Sequence, residues 1–350
     1  MARLSRAELQ ELNRTKVLTA AKAEFTERGF RDAKIDQIAE RAELTRGAVY
    51  SNFPSKRALY FEVLATAAET SPDYPPTART ARDALADFAR QWLARLPLAT
   101  DDLRSASRLG RDLLPEIMAD ARTSQPYAQL TSLGAIVLGL CLERLQPSAR
   151  LVRVAEVALT TLQGASQLAA AAPGFGEPFA VVSACAQLAS LDLDDSWQPA
   201  YLPHVSPARP VDLPWTPPAA TDALRDEPAG LDRDGVVAVL GLHRLSAIEE
   251  ALRSAPGDDE VTAVVVTGDP GELAPLVRLS VTELRVCLGA AIPRSAWPRL
   301  RIVLDEAGSV AAAAGVSAVS DATESAVRVS GGRIVARADG YGACHAAASV

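Results

Sequence analysis

Eight prolines, Pro199, Pro203, Pro207, Pro210, Pro214, Pro217, Pro218 and Pro228, crowd one short stretch of this 350-residue chain. Proline fixes its own φ and has no amide hydrogen to donate, so neither a continuous helix nor a central strand can run through the stretch. Its path must be extended and semi-rigid. A connection this long is foreign to the inside of a compact domain, so residues 193–233 read as a linker with a separate domain beyond it. Trp197, Tyr201 and Trp215 predict that part of the linker lies along a neighbouring surface.

The two flanks differ in period. Residues 61–192 are rich in Ala, Leu and Arg at helical spacing, broken by short turns such as SPDYPPTAR at 71–79. Leu85, Phe88, Trp92 and Leu93 share one face of the helix that follows, and further helices are predicted over 101–120, 126–146, 149–172 and 178–191. Residues 234–350 alternate instead. Short β-branched runs at 236–240, 261–267 and 301–304 are separated by helical segments at 246–255 and 272–286. A hairpin then turns at Ser330-Gly331-Gly332, and a terminal helix covers 341–349. That order predicts a three-layer α/β domain.

The first 60 residues carry the sharpest local pattern. Val17, Leu18, Ala21 and Phe25 recur at helical spacing, and Gly29 can take the left-handed conformation that ends a helix. A short second helix holds Ile35, Ile38 and Ala39 on one face. Thr45 is placed to cap a third, in which Val49 and Phe53 turn inward and leave Arg46, Gly47, Ala48, Tyr50, Ser51 and Asn52 outside. Pro54 ends it, and Ser55 caps a fourth helix beginning Lys56-Arg57. Two crossed helices with a tight turn and a polar outer face suit a DNA major groove.

Charge is distributed accordingly. The whole chain has a formal net charge of −7, which taken alone argues against nucleic acid, but the first 60 residues hold 12 Lys or Arg against 8 Asp or Glu. They sum to +4, leaving −11 on the rest, and all four lysines, Lys16, Lys22, Lys34 and Lys56, lie among them. A basic head on an acidic body steers DNA to one end.

With these motifs in place (G-F at 29–30, I-A at 38–39, L-T-R-G-A-V-Y at 44–50, F-P-S-K at 53–56), residues 10–63 resemble the DNA-binding segment of the TetR family of transcriptional regulators. The resemblance implies a homodimer, usually a repressor, whose third helix enters the groove of a double-stranded operator. It would place Thr45 and Tyr50 on phosphates, Arg46 and Ala48 at base edges, and Lys56 on phosphate from the start of the fourth helix. The family usually has Ser or Thr where Ala33-Lys34 stands, so Asp32 is left as the cap and Lys34 as a phosphate contact. The plainer alternatives are a half-buried packing role for Tyr50 and a solvated Arg46.

The resemblance further implies that residues 61–192 are the ligand-binding and dimerisation body. Val157, Leu159, Thr161, Gly164, Ala165 and Leu168, with Val181, Val182, Cys185, Leu188 and Leu191 on the next helix, form apolar stripes suited to a four-helix dimer interface. Ordinary monomer core is the competing role. Phe88, Trp92, Met118, Tyr127 and Leu130 are the candidates to line a site for a small apolar effector. Head and dimer helices all lie within residues 1–192, which are expected to suffice for dimeric DNA binding.

RIVLDEAGSVAAAAGV and SAVRVSGGRIVA make the C-terminal domain resemble the thioredoxin-like fold of peroxiredoxins and thiol-disulfide oxidoreductases. Its chemistry is missing. Neither candidate loop, 241–246 or 268–272, holds a cysteine at a helix start, and Val319-Ser320-Asp321-Ala322-Thr323 lacks the expected proline. The domain is expected to be noncatalytic, with His243 a surface residue. Cys141, Cys185, Cys287 and Cys344 are scattered and suggest buried thiols, not a zinc site. No catalytic residue, metal or cofactor is predicted. The N-terminus has no signal-peptide core and the apolar run near 135–142 is too short for a bilayer, so a cytoplasmic protein with no membrane partner is expected. Two alternatives remain open: a redox or ligand-handling enzyme with a DNA-binding appendage, and a regulator that recruits a protein through its C-terminal domain.

Overall fold

The computed structural model describes residues 5–69, 75–96, 106–197, 205–257 and 259–350. Helix α1 (Arg6–Asp32) opens on a capping box: Ser5 Oγ accepts the Glu8 amide at 3.2 Å and the Glu8 carboxylate accepts the Ser5 amide at 2.7 Å. The helix breaks at Gly29, whose φ of 75° is available to glycine without a Cβ clash. Helices α2 (Ile35–Arg41) and α3 (Arg46–Asn52) follow. α2 has no side-chain cap, because its N-cap position is Lys34, while Asp32 still belongs to α1.

α4 (Lys56–Glu69) leads into the body, which comprises α5 (Ala81–Leu93), a 3-10 segment Ala106–Asp112, α6 (Leu113–Met118), α7 (Ala121–Leu145), α8 (Val152–Ala171) and α9 (Pro178–Leu188). The helix expected over 101–120 is therefore divided, with 101–105 outside the described residues. α7 also departs from the expectation about apolar runs: it has 25 residues, and its most apolar 18-residue stretch, with a mean hydropathy of 1.3, is long and apolar enough to cross a membrane. More than half of that stretch is buried inside the protein, where α7 packs on α8 and on C-terminal residues.

The C-terminal domain begins earlier than its hydropathy pattern suggested. β1 (Arg209–Pro214) lies inside the supposed linker and pairs antiparallel with β8 of the main sheet; β2 (Thr221–Asp222) and β3 (Glu227–Pro228) form a small hairpin. Prolines obscured β1 because they are tolerated on an edge strand, and β1 has β8 as its one neighbour. Trp215 is buried, its indole N–H donating to the Leu231 carbonyl at 2.6 Å. Tyr201 lies outside the described residues. Next come β4 (Gly235–Gly241), α10 (Ile248–Ser254), β5 (Glu260–Val266), α11 (Pro270–Ala291), β6 (Leu300–Leu304), α12 (Ser309–Ala313), β7 (Glu324–Ser330), β8 (Arg333–Asp339) and α13 (Ala343–Ala348). The sheet order is β1-β8-β7-β4-β5-β6, with β4, β5 and β6 parallel.

β4 is buried on both faces, as a Val/Leu run in the middle of a sheet should be. Val236, Ala238 and Leu240 face the side covered by α11 and the helical body; Val237 and Val239 face a smaller core with Trp215, Val310 and Val327. The first core is continuous with that of the body and head, running through Phe25, Leu59, Leu138 and Leu276. α11 makes the join. It lies along α4, α5 and α7 and reaches β6 of the sheet, so α4 has no solvent face over residues 58–65.

Candidate nucleic-acid interface

α3 is fixed from both ends and from below. Thr45 Oγ accepts the Ala48 amide at 3.2 Å, the Phe53 amide donates to the Val49 carbonyl, and Val49 and Phe53 are buried with Ile38. Arg46, Gly47, Tyr50 and Ser51 consequently face solvent, with Ala48 and Asn52 partly covered. Tyr50 is 39% exposed. The Arg46 guanidinium sits 5.5 Å from the Tyr50 ring centre and 3.4 Å from the Asp36 carboxylate, a contact too exposed to hold it. Ser51 Oγ and Asn52 Nδ2 both donate to the Ala48 carbonyl, at 2.9 and 2.8 Å. Lys34 is exposed at the start of α2.

Lys56 is half-buried at the start of α4. Its ammonium donates to the Arg31 carbonyl at 3.2 Å and lies 4.6 Å from the Phe30 ring centre, and burial lowers its pKa below the ordinary lysine value. Behind it Phe25, Phe30 and Tyr60 stack into one aromatic cluster. The Tyr60 hydroxyl donates to the Leu109 carbonyl at 2.5 Å, and the Phe30 amide donates to the Asp112 carboxylate at 2.8 Å. The 3-10 segment thus holds the end of α1 where the chain enters the helix-turn-helix. Nothing local signals that link, since Asp112 is 82 residues from its partner.

Four of the five residues grouped as a ligand site come together: Phe88, Trp92, Tyr127 and Leu130 line one small void of about 40 Å³. Met118 is 80% exposed and is withdrawn from the group: Ile117 takes the inward direction of the short α6, so the next residue points out. A larger cavity of about 290 Å³ opens beside Trp92. Leu64, Leu109 and Leu113 line it with Arg95, Gln163 and Glu283, the last contributed by α11. Its lining adds charged groups to the apolar surface that a small apolar effector would need.

A Thr-capped third helix on a buried seat, its polar face open, gives residues 35–52 a helix-turn-helix arrangement. Residues 17–63 match the family described as bacterial regulatory proteins, tetR family, and the chain carries a TetR-family DNA-binding domain. Over 66 residues it is 44% identical to the HTH-type transcriptional regulator SrpR of Pseudomonas putida and, equally, to TtgW of the same species, described as an uncharacterized HTH-type transcriptional regulator. Each match covers 19% of this chain, and 30% and 48% of those relatives, so the chain spans less than half the length of the curated relatives it matches. A TetR-like transcriptional regulator from Rhodococcus sp. RHA1 aligns with 54% of this chain and 97% of its own at 19% identity, with a TM-score of 0.31.

Proposed function

We propose that the protein is a dimeric transcriptional repressor that reads a double-stranded operator with α3 and is released by a small effector. The seating of α3 carries the proposal: with Val49 and Phe53 committed to the core, Arg46 and Tyr50 are left to meet DNA. A second copy is the natural partner of α8 and α9, where Val157, Leu168, Phe175 and Phe179 are exposed, Phe179 at 77%. Leu159 and Cys185 leave the dimer stripe, being buried within the monomer. The effector would enter the cavity beside Trp92. It would combine an apolar body with a polar group for Arg95, Gln163 or Glu283, and shift the population of head positions through the Asp112–Phe30 link.

Competition titrations test the head. Arg46→Ala should cost about 1–3 kcal/mol of discrimination between operator and mismatched duplex. Lys56→Ala should weaken all duplexes alike and lower the salt slope by about one. The opposite pattern, with Lys56 governing base preference, would reverse the two assignments.

For the C-terminal domain, strand order β5-β4-β7-β8 with a terminal helix supports a thioredoxin-like reading, and its thiols support a noncatalytic one. Cys344 lies in the first turn of α13. That helix has six residues, and burial, with Glu324 and Glu250 nearby, holds the thiol well above its usual pKa. Burial also pushes Cys287 up to about 11, with Arg95 opposing. Since only thiolate reacts, iodoacetamide should label the native chain slowly at neutral pH and faster as pH rises toward that value. Rapid neutral labelling, or peroxide turnover lost in Cys344→Ser, would favour the enzyme alternative.

A further inference from the structure

The first turn of α11 rests on the DNA head itself. Ser55, the residue that caps α4 by accepting the Ala58 amide at 3.0 Å, donates its hydroxyl to the Glu272 carboxylate at 2.6 Å. A Cβ on Gly271 would lie 3.2 Å from Pro54, in the turn between α3 and α4. One turn and more along α4, Glu62 accepts from Arg278 of α11 at 2.7 Å and also pairs with Arg14 of α1. The C-terminal domain is thereby tied to the end of the helix-turn-helix at the start of α4 and, through Glu62, to α1.

A helix N-terminus favours an anion, through free amides and the positive end of the dipole. At α4 a carboxylate of the same chain already stands beside that end. Neighbouring cations are engaged as well: Lys56 on the Arg31 carbonyl, Arg57 on Asp120 at 2.8 Å, and Arg122 on Asp120 at 3.0 Å. We infer that the C-terminal domain is a built-in restraint on DNA binding, in which Glu272 holds the start of α4 against a DNA phosphate and must give way when the duplex docks. This rests on the proposed role of α3 and Lys56 in binding DNA. The partner is thus intramolecular, and whatever draws the Glu272 carboxylate away from Ser55, with the rest of α11 still packed on α4, would strengthen DNA binding.

The test uses the full chain and a fluorescent random-sequence duplex followed by anisotropy across salt concentrations. Glu272→Gln keeps the hydrogen-bond acceptor and removes the charge; it should tighten binding by about three- to tenfold and steepen the log–log salt slope by up to about one. Asp232→Asn, an equal charge change on an exposed residue before β4, should leave binding unchanged. Gly271→Leu, a neutral wedge against Pro54, should also tighten binding, which serves if the Gln variant melts early. Unchanged or weaker binding in both head-facing variants, or an equal gain in Asp232→Asn, would overturn the restraint. Failure of the wild-type chain to bind any duplex would count against the head's function instead. In that event hydrogen exchange of the DNA-free chain decides: Glu272→Ala should speed exchange in the first turn of α4 several-fold, and unchanged exchange would refute the contact's role.

Discussion

A chain ending at residue 192 is expected to lose cooperative melting and to aggregate, although it contains the whole head and both proposed dimer helices. Residues 58–65 of α4 are buried all round in the full chain: Leu59, Tyr60, Phe61, Val63 and Leu64 are all core residues. One of its sides is covered by α11, which contributes Leu273, Leu276, Val277, Leu284 and Leu288 to the core. Each aliphatic side chain returned to water forfeits about 1.5–3 kcal/mol, so losing several such contacts rivals the whole of a typical domain's stability, about 5–15 kcal/mol. The Glu62 carboxylate would also lose Arg278 and keep only Arg14. Circular dichroism melts and size-exclusion profiles of the truncated and full chains decide the matter. A monodisperse truncate with a sharp transition would show that α11 is dispensable.

The second large effect is expected from one methyl group. In Gly139→Ala the new Cβ would stand 2.5 Å from the Val152 Cα and 2.9 Å from its amide nitrogen, where α8 begins against α7. Backbone atoms of a packed helix cannot swing aside as a side chain could. The two helices must part, at a cost of about 3–5 kcal/mol and a fall in melting temperature of about 6–15 °C. Gly134→Ala, on the same helix, supplies the comparison. Its Cβ would meet the Leu159 and Leu284 methyls at 3.7 and 4.0 Å, ordinary contact distances, so stability should change by less than about 1 kcal/mol or rise. Equal melting temperatures for the two variants would mean that the α7–α8 crossing is looser than described.

The Gly139 crossing and the α11 junction share a property: neither could be read along the chain. What the sequence determined by itself is local. The Thr45 cap, the break at Gly29, and the inward turn of Val49 and Phe53 each depend on residues within one or two helical turns, so composition and spacing specify them. The same holds for the continuous β-branched runs at β4 and β5 and for the hairpin at Gly331-Gly332. The edge strand β1 was hidden because its pairing partner lies more than a hundred residues away and its prolines speak against a strand until an edge position is known. Met118 was misplaced because the direction of a side chain on a short helix is set by what that helix packs against. Ser55–Glu272, Glu62–Arg278 and Phe30–Asp112 join residues 217, 216 and 82 positions apart, and only the folded arrangement brings them together. Local propensity made a helix-turn-helix head and an α/β domain; burial of the apolar faces of α4 and α11 against each other made them one molecule.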